Sequence, residues 1–139
     1  MAVKILTDST SYIDRTIENQ LDIKVASLNV IFGKESFKER EIDNEVFYKM
    51  MEEKGIPTSS QPSVQELYNE MEKIVQNGDS ILCIFISSHM SGTYSTAHTV
   101  REMILEVYKD AEIEIIDSTS NSMQLGFSVI VAARAAFRR

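Results

Sequence analysis

Residues 87–96 read SSHMSGTYST, six of the ten being serine or threonine, and they follow the most apolar run in the chain, ILCIFI at 81–86. A buried strand that opens into hydroxyls just before a helix has the makings of an anion site. The first N–H groups of a helix lack backbone partners and sit at the positive end of its dipole, so carboxylate or phosphate is favoured there. A plain N-cap draws on the same residue types but needs one hydroxyl. Both readings are open from this stretch alone. Three more clusters share its character: TDSTS at 7–11, PTSSQPS at 57–63 and DSTSNS at 117–122. The two prolines of PTSSQPS restrict the backbone around them, which predicts Thr58, Ser59 and Ser60 on a stiff loop.

Other chemistries find less support. The chain has neither a GxxxxGK[ST] loop nor a GxGxxG turn, the usual phosphate cradles. His89 and His98 are its two histidines and lack the ligand spacing of a zinc site, so no metal is expected. Ser91, His89 and Asp8 or Asp117 can be combined on paper into a nucleophile, a base and an orienting acid. The GxSxG elbow is missing, and nothing in the spacing fixes that geometry. Asp8 and Asp117 each directly follow an apolar run, where capping or bonding to the hydroxyl loops is the simpler role. Cys83, the single cysteine, lies inside the apolar run and is expected to pack as a small hydrophobe. A net charge of −7 disfavours nucleic acid as a partner. No basic segment leads into an apolar stretch, and no run reaches the length of a membrane span, so a cytoplasmic protein is expected.

The elements that must carry these residues follow from periodicity. Residues 3–6 read as a strand, and Ile13, Ile17 and Leu21 as a helix. Residues 23–32 read as a second extended segment, and 33–41 as a turn or exposed hairpin. Asp43 is the expected cap of a helix with Val46, Phe47, Met50 and Met51, the methionines serving as core filler. Gly55 and Pro57 end it. Ser63 and Glu66 form a capping-box pattern for a helix with Leu67, Met71 and Ile74, which feeds the 81–86 strand. Ala97, Val100, Ile104 and Val107 mark the next helix, and residues 113–116 a strand. The last helix starts near Met123 and runs on through 132–139 without a stop signal. Strand and helix alternation predicts one α/β domain over 1–139, with a largely parallel sheet flanked by helices. In such sheets ligands bind beyond the carboxyl ends of the strands. The loops at 7–11, 87–96 and 117–122 all fall on that edge, and the fourth cluster is expected to reach it.

Four motifs in order, Thr7-Asp8-Ser9-Thr10-Ser11, Pro57 through Ser63, Ile86-Ser87-Ser88 through Ser91-Gly92-Thr93-Tyr94, and Asp117-Ser118, resemble the DegV family across the whole chain. The resemblance implies a bacterial, cytoplasmic fatty-acid-binding protein of two α/β domains, some members being the carrier subunit of a two-part fatty acid kinase in phospholipid metabolism. It implies that a long-chain fatty acid lies in an apolar tunnel and that Ser59 and Ser91 meet its carboxylate. Thr58, Ser60, Gly92 and Thr93 are implied neighbours, with Asp8, Ser9, Asp117 and Ser118 around them. No catalytic residue, metal or cofactor beyond the lipid is implied. The implied partners are the kinase subunit and a second domain that follows this one. Gln124 departs from the family, standing where a small residue, often glycine, is expected. The alternative is a hydrolase or phosphotransferase with Ser91 as nucleophile, acting on a small anionic substrate.

Overall fold

The 81–86 run forms the middle of a parallel sheet. A computed structural model describes residues 2–137 of the chain. The elements are β1 (Val3–Asp8), a 3-10 turn (Ser9–Ser11), α1 (Arg15–Leu21), β2 (Lys24–Ala26), β3 (Asn29–Phe32), β4 (Glu35–Lys38) and α2 (Asn44–Lys54). They continue with β5 (Thr58–Ser60), α3 (Val64–Gln76), β6 (Ser80–Phe85), α4 (Thr93–Val107), β7 (Ile113–Asp117) and α5 (Ser122–Phe137). Four strands make the parallel sheet, in the order β2-β1-β6-β7. Its two central strands are covered on both faces, which explains why residues 81–85 of β6 are apolar without a break rather than alternating. On one face Leu6, Cys83, Phe85 and Ile113 pack with Leu67, Met71 and Ile74 of α3 and with Ala97, Val100 and Ile104 of α4. On the other, Ile5, Ile84 and Ile86 pack with Leu125, Val129, Ile130 and Ala133 of α5. Among the described residues, no helix is long and apolar enough to cross a membrane.

A second sheet, which the sequence reading did not separate, has the antiparallel order β4-β3-β5. The extended segment at 23–32 is therefore two strands in two sheets, since the chain leaves the parallel sheet after Ala26 and re-enters extended structure at Asn29. Residues 33–41 do hold a hairpin turn and its outer strand. Thr58–Ser60 is corrected from a loop to a strand, with Ser59 opposite Val30. Restrained, extended backbone between prolines suits an edge strand as well as a stiff loop.

Helix α2 buries no residue. Met50 and Met51 are half-buried rather than core, because a three-stranded sheet offers this helix no closed interior to fill. Its Phe47 ring meets Phe32 of β3 edge-on at 6.0 Å, and Lys54 pairs with Glu35 of β4. Asp43 occupies the N-cap position but makes no side-chain cap bond. At α3, Ser63 Oγ accepts from Glu66 N–H at 3.1 Å, while the Glu66 carboxylate pairs with Lys38 at 3.1 Å instead of closing the box. The first helix starts later than its periodicity suggests, at Arg15, capped by Asp14 after the 3-10 turn. Val107 of α4 is exposed rather than core. Helix α5 runs to Phe137, and positions 138–139 of the expected last helix lie outside the described residues. Its close contact is made at Gly126, where an added Cβ would lie 2.5 Å from the Ser11 carbonyl oxygen. Gln124, where a small residue was expected, is exposed.

Candidate functional site

Three hydroxyl loops leave the carboxyl ends of β1, β6 and β7, and bonds to backbone groups lace them to one another. Asp8 ends β1 fully buried. Its Oδ2 accepts from Ile86 N–H at 2.8 Å and its Oδ1 from Thr10 N–H at 2.9 Å and from the Thr10 hydroxyl. Burial pushes the Asp8 carboxyl up, and the Ile86 and Thr10 bonds offset only part of that effect. A buried carboxylate with three donors is a structural tie. Ser9, also buried, accepts from Leu28 N–H at 2.9 Å and donates to Glu39 Oε2 at 2.6 Å.

At the end of β7, Asp117 Oδ1 accepts from Ser88 N–H at 3.1 Å and from Thr119 N–H at 3.0 Å. Hydrogen bonding from Ser88 and Thr119 holds this carboxyl below the usual range. Ser118 bonds within its own turn, donating to the Ser120 carbonyl at 3.2 Å, and the Ser120 carbonyl accepts from Ser87 N–H at 2.9 Å. The loops after β6 and β7 are thus fixed as a pair.

Ser91, half-buried, precedes α4. Its Oγ lies 2.9 Å from Thr93 Oγ1 and accepts from Thr93 N–H at 3.2 Å. Thr93 is 0 % exposed, so it backs Ser91 from below. When the Thr93 hydroxyl donates to Ser91, the Ser91 proton is directed outward. Gly92 is exposed at the N-cap position and offers no side-chain cap.

The fourth cluster arrives from the second sheet. Thr58 and Ser59 are exposed and Ser60 half-buried on edge strand β5. The next residue, Gln61, lies against Gly92, where an added Cβ would be 3.2 Å from its amide atoms, and its Nε2 donates to Thr96 Oγ1 at 3.4 Å. The structure therefore brings the second and third motifs into contact through Gln61. That residue stood in a quoted motif without a role. Glu39 was missed entirely, being one charge in an acidic and basic stretch whose partners, Ser9 and Tyr12, lie 30 and 27 residues away.

The arrangement supplies neutral donors and a helix start. It does not assemble the serine, histidine and aspartate of the alternative reading: Ser91 Oγ is engaged with Thr93, and exposed His89 bonds through its backbone N–H to Ser87 Oγ. Asp8 and Asp117 are committed to the backbone groups named above. Among the described residues no three His, Cys, Asp or Glu side chains gather as a metal site. Cys83 is fully buried, and burial pushes its thiol well above the ordinary range. Surface cavities of about 410 and 570 Å³ lie at the other end of the strands, around Lys4 and Asp22.

Comparison with known proteins gives a consistent pattern. The model of the DegV family, described as a family of uncharacterised proteins, matches residues 2–138. A DegV domain-containing protein of Clostridium acetobutylicum is 63% identical over 136 residues, 98% of this chain and 48% of that protein. Protein DegV of Bacillus subtilis is 32% identical over 137 residues, 96% of this chain and 47% of that protein. Among solved structures, a stearic acid-binding protein from Eubacterium ventriosum superimposes with a TM-score of 0.91 at 26% identity, covering 98% of this chain and 48% of that one. The crystal structure of Bacillus subtilis DegV, described as a fatty acid binding protein, superimposes with a TM-score of 0.88 at 30% identity, covering 99% and 48%. The chain spans about half the length of the relatives it matches.

Proposed function

The chain belongs to the DegV family, and from that membership we propose that it binds a long-chain fatty acid, with Ser59 and Ser91 donating to the carboxylate. The observation that supports this reading is the contact of Gln61, two residues after Ser59, with Gly92, the residue after Ser91, in a family with solved fatty acid binders. A carboxylate accepts several hydrogen bonds, and neutral donors beside a helix start can hold it without a buried cation. Such a head group keeps its nucleophilic oxygens, which suits presentation to a partner kinase that phosphorylates the carboxylate. Thr58, Ser60, Gly92 and Ser118 border the head group, Thr93 orients Ser91, and Asp8, Ser9 and Asp117 fix the loops. A second domain covers the acyl chain in this reading. The protein works in the cytoplasm as a carrier and performs no chemistry of its own.

Organic extraction and mass spectrometry of the purified full-length protein test the proposal. About one fatty acid per chain is the expected result. Ser91→Ala should keep the fold and weaken fatty acid retention about tenfold, the scale of one hydrogen bond to a charged group. Protein that neither carries lipid nor binds added oleate would overturn the reading. Labelling of Ser91 by a fluorophosphonate probe would favour the hydrolase instead.

A further inference from the structure

Asp8 and Ser9 are consecutive, yet they serve opposite sides of the site. Asp8 holds the β6 end through Ile86 N–H. Ser9 holds the neck of the second sheet, the point where the chain enters the β3/β4 hairpin through Leu28 and leaves it through Glu39 on the way to α2. Leu28 N–H donates to Ser9 Oγ at 2.9 Å, Ser9 donates to Glu39 Oε2 at 2.6 Å, and the Tyr12 hydroxyl donates to Glu39 Oε1. Glu39 N–H donates to the Leu28 carbonyl at 2.8 Å, one step beyond the Asn29 and Lys38 pair of the β3/β4 ladder. Just outside, Arg40 N–H bonds Ser27 Oγ at 3.2 Å, and the Arg40 side chain pairs with Glu18 at 2.8 Å.

The two strand ends at this neck are therefore joined to the end of β1 through Ser9, which accepts from Leu28 N–H and donates to the Glu39 carboxylate. Ser59 lies opposite Val30, two residues along β3 from Leu28, so a shift at the neck passes to Ser59 through the ladder. Helix α2 buries nothing, and the apolar support here is slight, Leu28 at the neck and Phe32 on β3 being buried. Among the described residues, Glu39 is the side chain at these two strand ends that bonds the end of β1.

We propose that Glu39 is a positioning residue: clasped by Ser9 and Tyr12, it sets the second sheet, and with it Ser59, against the loop that bears Ser91. The inference deepens the fatty-acid reading and rests on it for the ligand, while its structural half is open to a test that needs no ligand. Glu39→Ala leaves two hydroxyls without their acceptor. Glu39→Gln keeps the shape and one acceptor oxygen, and serves where the alanine variant folds poorly.

Amide hydrogen exchange on the full-length protein is the first arm. Glu39→Ala should speed exchange in β3 and β5 about tenfold, with β1 and β6 unchanged and Glu39→Gln intermediate. The second arm is titration with sodium oleate. Glu39→Ala should weaken binding about tenfold, and adding it to Ser59→Ala should cost almost nothing more, because both act on one contact. Unchanged exchange in both variants, wild-type affinity in Glu39→Ala, or losses that add in the double variant would each overturn the proposal. A wild-type protein that ignores oleate while Glu39→Ala loosens β3 and β5 would overturn the fatty-acid reading and leave the placement of Ser59 by Glu39 standing.

Discussion

Tyr12 adopts a left-handed backbone, φ 50°, and its hydroxyl donates to Glu39 Oε1. Burial first, and then the Glu39 carboxylate it bonds, push its ionisation from 10.0 up to about 12. Because the folded value lies above the unfolded one, the stabilisation is complete below about pH 10 and disappears as the pH rises through about 12. The stability gap between wild type and Tyr12→Phe should accordingly be present at about pH 9 and close by about pH 12, read from denaturant midpoints. A gap that stays constant would show that Tyr12 does not titrate against Glu39. At this scale the sequence was partly legible. The hydroxyl clusters announced themselves by composition, and Ser63 by its position before an apolar run. Capping by Asp8 was readable, since it bonds Thr10 within its own loop, but its bond to a backbone N–H 78 residues away and the role of Ser9 leave no local trace. Their neighbours in sequence say nothing of their neighbours in space.

Helix α5 shows what one element demands of one position. Its apolar content was plain, and its inner face of Leu125, Val129 and Ile130 follows helical spacing. Which of its residues had to be small was not, because the obstacle is the Ser11 carbonyl on a separate turn. Gly126→Ala would place a methyl 2.5 Å from that oxygen and must push α5 off β1. The expected cost is about 1–3 kcal/mol, typical of overpacking, measured by urea unfolding. A variant as stable as wild type would mean that α5 slides freely. The parallel strands and the helices that cover them were legible because each is amphipathic or wholly apolar. The second sheet was not, since its strands of three or four residues are too short to set up a period of their own.

At the scale of the molecule, the chain divides into a sheet buried between two helical layers and a smaller sheet with α2 that carries one of the two proposed binding serines. The first has a core on each face. The second is fastened by polar contacts at Glu39 and Gln61 and held together within itself by the edge-on Phe32–Phe47 pair. Limited proteolysis should therefore cut first within residues 33–56, with the parallel sheet surviving as a resistant remainder. Initial cleavage in β1 or β6 would contradict that division. The α/β class was legible because strand and helix alternate along most of the chain, while the partition into two sheets is a matter of pairing, which periodicity does not encode.

The pairing of β1 with β6 also imposes an order in time. Every residue of the second sheet is synthesised after β1 and before its central partner. At about 5–20 residues per second the ribosome needs on the order of 4–14 s to cover that interval. For those seconds β1 exists beside β2 at most, with one edge open and the Asp8 carboxylate still in water. The nascent chain must keep that edge from pairing with another polypeptide, and the acidic charge emerging through residues 35–53 gives it a means of repulsion while it waits.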